Sequence, residues 1–209
     1  MSLAVSLLVA VAGGQFAQSS LNIQQVEFAF RSGLDRPDLI ARTEALAKSS
    51  RGPEQQKAVF LLGRQQQRRY EKVFSNGSKF ADRSILKLAY NQYKAYIDRW
   101  GNSKSEWLSD VRFYKAFFFL ENNQLDQALN ALRDMRPNLD ATIYVDDIVW
   151  TDKRVYSIMQ MYDAGSLRDQ LVESIRRHRD DATIDIRVQS VATEIRTWCR
   201  NNRYKSAAG

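Results

Sequence analysis

Residues 117–132 read FFFLENNQLDQALNAL, and the parsing of this stretch decides the fold. Three consecutive phenylalanines fall within an apolar run over 111–120. Glu121 to Gln124 interrupt it with polar residues, and Leu125, Ala128, Leu129 and Leu132 then return one helical turn apart, with Met135 after them. Recurrence at three and four positions marks one face of an α-helix. The stretch predicts a helix over 111–120, a polar turn, and a second helix stopped by Pro137. A connection this short makes the two helices antiparallel neighbours. Successive residues of a helix point about 100° apart, so Phe117, Phe118 and Phe119 make the first helix apolar nearly all round. Such a helix is covered on more than one side, and each phenylalanine is expected to meet a different neighbour.

The same period extends upstream. Ile85, Ala89, Tyr93, Tyr96, Ile97 and Trp100 form an apolar stripe that GNSKS, 101–105, ends. Residues 54–74 read as a long helix. Val59, Leu62, Gly63, Tyr70 and Val73 mark one face, and QQQRR, 65–69, mostly occupies the other; SNGS, 75–78, is a turn. Leu39, Ile40, Ala45 and Leu46 mark another helix, and LNIQQVEFAF, 21–30, a shorter one. SSRGP, 49–53, breaks the chain between them and the long helix. Gly52 suits a helix end and Pro53 the first turn of the next helix.

Downstream the pattern is less regular. ATIYVDDIVW, 141–150, has strand character but no evident strand partner, and is expected as a connection or a distorted helix. Val155, Ile158, Met159 and Tyr162 predict a helical face that AGS, 164–166, breaks. Leu167, Leu171 and Ile175 predict another, and Ile184, Val188, Val191, Ile195 and Trp198 a closing helix. NNRYKSAAG, 201–209, reads as a frayed end.

Composition agrees with helices. The 209 residues include only three prolines and nine glycines, few breakers for a chain of many strands. One cysteine, Cys199, excludes an intrachain disulfide, and with the single His178 it cannot supply a zinc set. No glycine-rich phosphate loop is present. No cofactor and no metal are expected.

The first twenty residues carry no charge, and LAVSLLVAVA, 3–12, is a small and aliphatic run. It is too short for a membrane-spanning helix but fits the apolar region of a secretory leader. Ala12, Gly14 and Ala17 offer cleavage positions. Only Met1 and Ser2 precede the run, as in a leader truncated at its start. Residues 1–17 are thus expected as a signal peptide and the product as periplasmic; if they are not a leader, they belong to the fold or to a tail and the protein is cytoplasmic. No transmembrane span is expected.

The hairpin carries a resemblance. FYKAFFFLENNQLDQALNALRDM, 113–135, resembles a tetratricopeptide repeat, with Ala116, Phe119, Ala128 and Leu132 at that motif's small and large positions, spaced three, nine and four. Arg112 and Lys115 depart from the pattern, standing where apolar residues are usual. Ala89 and Tyr93 echo Ala128 and Leu132 at a distance of 39 residues. With the segment from Ile85, the stretch is similar to exported bacterial repeat proteins of the cell envelope. The resemblance implies an all-α fold of antiparallel helical hairpins stacked as a short solenoid over 21–136, with a C-terminal helical region, 137–205, packing on or continuing it. It implies a non-catalytic scaffold that binds proteins or peptides in a groove. Tyr90, Lys94, Trp107 and Arg112 are the expected exposed contact residues.

The residues also admit other readings. The formal charge is +7, concentrated near the C-terminus in Arg176, Arg177, Arg179, Arg196, Arg200 and Arg203. Clustered arginine binds phosphates or carboxylates, so a basic helical domain on an anionic polymer or membrane surface is the second reading; a leader would put nucleic acid out of reach. A third is an envelope enzyme of the lytic-transglycosylase type, from the pair Glu173-Ser174, without the glycine-rich continuation. His178 is expected at the edge of a packed face, its arginine neighbours disfavouring the protonated form. Cys199 is expected as a half-buried structural thiol, and Asp146-Asp147 and Asp180-Asp181 as helix caps or solvated turns.

Overall fold

Local signals set the helix starts. Asn22 opens α1 (Ile23–Arg31) with a capping box, its side chain accepting from the Gln25 amide while Gln25 reaches back to the Asn22 amide. Pro37 stands in the first turn of α2 (Pro37–Ser49). α3 (Gly52–Ser75) follows at once, with Pro53 in its first turn and Gly52 at φ +59° absorbing the change of direction. α4 (Arg83–Trp100), α5 (Leu108–Glu121) and α6 (Leu125–Arg133) come next. Asp163 and Thr183 then cap α7 (Ala164–Arg177) and α8 (Ile184–Asn201) through the Ser166 and Ile186 amides.

The computed structural model describes residues 21–32, 36–75, 83–102, 105–135, 142–151 and 154–202. The expected leader 1–17, residues 76–78 of the expected turn, Pro137, Arg203, the tail beyond it and the side chain of Val73 lie outside what it describes. Among the described residues the fold is all-α, its eight helices interrupted by one β-hairpin. Each helix packs chiefly on its sequence neighbours: α2 on α3, α3 on α4, α4 on α5, α5 on α6, α7 on α8. One apolar core runs from Ile23 in α1 to Cys199 in α8. No helix of the described residues is long and apolar enough to cross a membrane.

The parsing of 117–132 holds. α5 ends at Glu121, Asn123 makes the turn at φ +58°, and α6 begins at Leu125. α5 is covered nearly all round, from Val111, Phe113 and Tyr114 to Ala116, Phe119 and Leu120. The three phenylalanines divide differently from expectation. Phe118 and Phe119 share one neighbour, Tyr90 of α4, at ring distances of 4.7 and 5.7 Å, and Phe117 sits edge-on to Phe113 of its own helix.

Ala116, Phe119, Ala128 and Leu132 are all buried, as are Ala89 and Tyr93. Ala128 is fully enclosed. Ala128→Leu is expected to cost about 1–3 kcal/mol by overpacking, at roughly 2–4 °C of melting temperature per kcal/mol. A thermal melt checks this; an unchanged melt would show that the α5–α6 contact is loose.

The expectations over 141–162 fail. The chain over 142–163 is an antiparallel hairpin, β1 (Thr142–Thr151) paired with β2 (Arg154–Asp163) in the register Thr142↔Asp163 to Thr151↔Arg154. It is neither a distorted helix nor a helical face, and Asp146-Asp147 lie within β1, not at a cap or turn. The missed partner of β1 lies two residues downstream, and Ile143 and Tyr162 tie the hairpin's base to the core. AGS opens α7 directly from β2. α3 adds a feature that the spacing did not show: Gln65, Gln67 and Arg68 of the QQQRR run, with Arg64, are as buried as its leucines. α3 is central, covered by α1, α2, α4 and α5, so that of the QQQRR run only Arg69 stays exposed and Gln66 half-buried.

Candidate binding cleft

The packing of α5 between α4 and α6 places its two departures from the repeat pattern side by side. Arg112 and Lys115 stand one turn apart on α5. With Ile97 of α4, Ala131 and Arg133 of α6 and Asp134 just after it, they line a cleft of about 450 Å³. Arg112 donates to the Gly101 carbonyl at 3.4 Å. Lys115 is half-buried, its ammonium 5.9 and 5.7 Å from the ring centres of Tyr90 and Phe119. Burial pulls its pKa down, Asp134 and Asp98 oppose that, and Lys94 and Arg112 add to it. Among the described residues neither Lys115 nor Arg133 makes an ion pair. A second cleft of about 360 Å³ opens between α6 and α7, with Leu129, Leu132 and Val172 as its floor and Arg133, Arg168 and Arg176 at its edge. Arg133 lines both.

The expected contact residues divide. Arg112 lines the first cleft. Tyr90 is half-buried beneath it against Phe118, and Lys94 pairs with Asp98 at 2.6 Å on the surface of α4. Trp107 is not a contact residue: it is 2% exposed and stacks on Phe60 at 4.9 Å. Sequence reading did not single out Lys115 and Arg133 for contact; both line the cleft. The signal for Lys115 was its charge at an apolar repeat position; Arg133 carried none.

The C-terminal arginines do not form one open patch. Arg176 faces Glu173 at 3.1 Å, Arg177 faces Glu194 at 2.8 Å and Arg179 faces Asp126 at 3.7 Å. Arg196 is half-buried and its pKa is lowered by burial, while Arg200 is exposed. Glu173 lies in the open on α7, tied to Arg176 at 3.1 Å. Cys199 is fully buried rather than half-buried, and burial pushes its thiol up to about 12, which makes it inert.

His178 closes α7 with its imidazole between two carboxylates: Nδ1 lies 2.8 Å from Asp181 and Nε2 2.9 Å from Glu194. Contrary to expectation, its pKa is raised. The Glu194 hydrogen bond and the Asp181 bond outweigh burial, and the neighbouring Arg177 turns its charge to Glu194. Burial acts to raise Glu194, yet hydrogen bonds from Ser174, His178 and Arg177 bring it to about 2. The cluster ties α7 to α8. Its histidine contribution is present below pH 6.5 and lost as pH rises through the raised folded value. The Glu194 contribution is present above 4.5 and lost as pH falls towards 2. His178→Ala is expected to cost about 1 kcal/mol or less near pH 6, since the site is partly solvated, and nothing well above the folded pKa. Denaturant melts across pH check this; an equal loss at every pH would mean lost packing.

Comparison of the chain with protein-family models, with curated proteins and with solved structures finds no match.

Proposed function

We propose that this chain is a non-catalytic, repeat-like helical module that binds another protein or peptide. The observation that carries this reading is the cleft between α4, α5 and α6, where half-buried Lys115 meets Arg112 and Arg133. Helices packed on their neighbours build a rigid surface with grooves between them, and such grooves bind segments of other chains. Both nitrogens of His178 are engaged and Glu173 is paired in the open, which supports binding over catalysis. Export to the cell envelope belongs to the same reading, on the strength of the uncharged stretch 3–12. Expressed with upstream sequence, the protein should appear in the periplasm with a mass matching cleavage after residue 12, 14 or 17; a full-length cytoplasmic product would remove the envelope part.

The binding reading is tested by site-specific photocrosslinking in cells. A probe at Arg133, exposed at the cleft, is expected to give a discrete protein adduct that a probe at Lys48, exposed on α2, does not. Equal labelling at both positions, or none at either, would sink it.

A further inference from the structure

We propose that the occupant of the cleft is an acidic amphipathic segment of a partner protein. Its carboxylates would sit among Arg112, Lys115 and Arg133, and its apolar side chains in the adjoining α6–α7 groove. This deepens the peptide-binding reading and rests on it.

Charge is the first argument. The α4–α6 cleft is lined by three cations and one carboxylate, Asp134, with Asp98 a second acid acting on Lys115. Lys115 has already lost part of its hydration to the rings of Tyr90 and Phe119. Among the described residues no carboxylate approaches it to ion-pair distance, so an incoming anion meets a cation already partly stripped of water. The arginines at 176, 177 and 179, by contrast, each face an acid of their own.

Continuity is the second. Arg133 is exposed at the end of α6 and belongs to both clefts, so the charged site runs directly into a groove floored by Leu129 and Val172. A segment lying across Arg133 would place an acidic residue on one side of it and an apolar residue on the other. A helix presenting such residues a turn apart has that spacing.

Concavity and Asp134 select the class. A flat membrane surface reaches exposed cations but not a half-buried lysine between helices, and a nucleic acid leaves the apolar floor unused. Asp134 disfavours a doubly charged phosphate more than a singly charged carboxylate.

The test uses the full chain and three fluorescent peptides of roughly 12 residues, a length that spans a helix-sized groove. One alternates Glu and Leu at helical spacing, one replaces its Leu by Ser, and one replaces its Glu by Lys. The Glu/Leu peptide is expected to bind, with Arg133→Glu weakening it about tenfold or more and Lys115→Gln weakening it less. Arg200→Glu makes the same charge change on exposed α8 and should leave affinity within about twofold. Arg133 and Arg200 are both exposed, so unchanged thermal melts show that the variants fold. Equal loss in Arg200→Glu would overturn the proposal, since net charge alone would then act. Equal binding of the Glu/Ser peptide would overturn it by showing the groove idle. Binding of the Lys/Leu peptide alone, weakened by Leu129→Ser, would overturn the acidic class and leave the peptide-binding reading standing. Binding of phosphatidylglycerol vesicles with none of the peptides bound would overturn both.

Discussion

Arg64→Ala is expected to lower the stability of the fold by about 3–5 kcal/mol, the cost of leaving buried charge without its partner, and so to depress the melting temperature by roughly 6–20 °C. Arg64 is 1% exposed in the middle of α3. Its guanidinium faces both oxygens of Glu71 at 3.4 Å and lies 3.7 Å over the ring of Tyr114 in α5. It also holds down the carboxyl of Glu121, which burial and then repulsion from Glu71 push well above the usual range. Gln67 joins the network, donating to Glu121 at 3.2 Å and accepting from the Tyr93 hydroxyl at 2.8 Å. Taking away the guanidinium leaves the buried Glu121 carboxyl facing Glu71 without the cation that offsets their repulsion.

The expected pH response carries a sign. Glu121 has a folded pKa above its ordinary 4.5, so its contribution is complete below that value and is lost as pH rises through the folded pKa. Arg64→Ala should therefore be least harmful at low pH, where Glu121 is neutral. Arg64→Met with Glu71→Gln removes the charge and its partner together and should recover most of the loss. Guanidinium melts of the single and double variants decide the matter; a double variant no better than the single would show that the loss is packing volume.

Gly63→Ala is expected to destabilise by about 1–3 kcal/mol, although alanine is favoured over glycine inside a helix by about 1 kcal/mol. A methyl on Gly63 would stand 2.6 Å from Cε1 and 3.0 Å from Cδ1 of Tyr93. That ring cannot retreat, being fully buried with its hydroxyl bonded to Gln67. Overpacking should win over propensity here. A smaller neighbour is the control: adding Tyr93→Leu should make Gly63→Ala neutral or favourable, by thermal melt. Should Gly63→Ala alone raise the melting temperature, α3 and α4 are not in close contact.

The helices were legible where burial is one-sided. Ala89, Tyr93 and Tyr96, or Val188, Val191 and Ile195, repeat at helical spacing and are buried together. α3 was legible as a helix but not in its burial. The spacing put QQQRR on the face opposite the apolar one, and the packing of Phe30 against Arg68 at 3.6 Å and of Tyr114 against Arg64 shows that this face is covered too. The hairpin was half legible. Ile158, Met159 and Tyr162 fit a helical face, and only the pairing with β1 distinguishes the two. His178 misled because its sequence neighbours are arginines while its partner Glu194 is sixteen positions away. The cleft was the least legible, since Arg133 joins Lys115 only once α6 has folded back on α5.

The dry polar seam of α3 also governs the order of folding. Arrays of helical hairpins come apart piecemeal, because each unit touches only the next. Here the guanidiniums of Arg64 and Arg68 cannot leave water until Glu71, Tyr114 of α5 and Phe30 of α1 have all arrived. The hairpins can form early, but their final desolvation is one shared, late event, and unfolding runs it backwards as water enters the seam. Helices that pack chiefly on their sequence neighbours are thereby expected to open together rather than one by one.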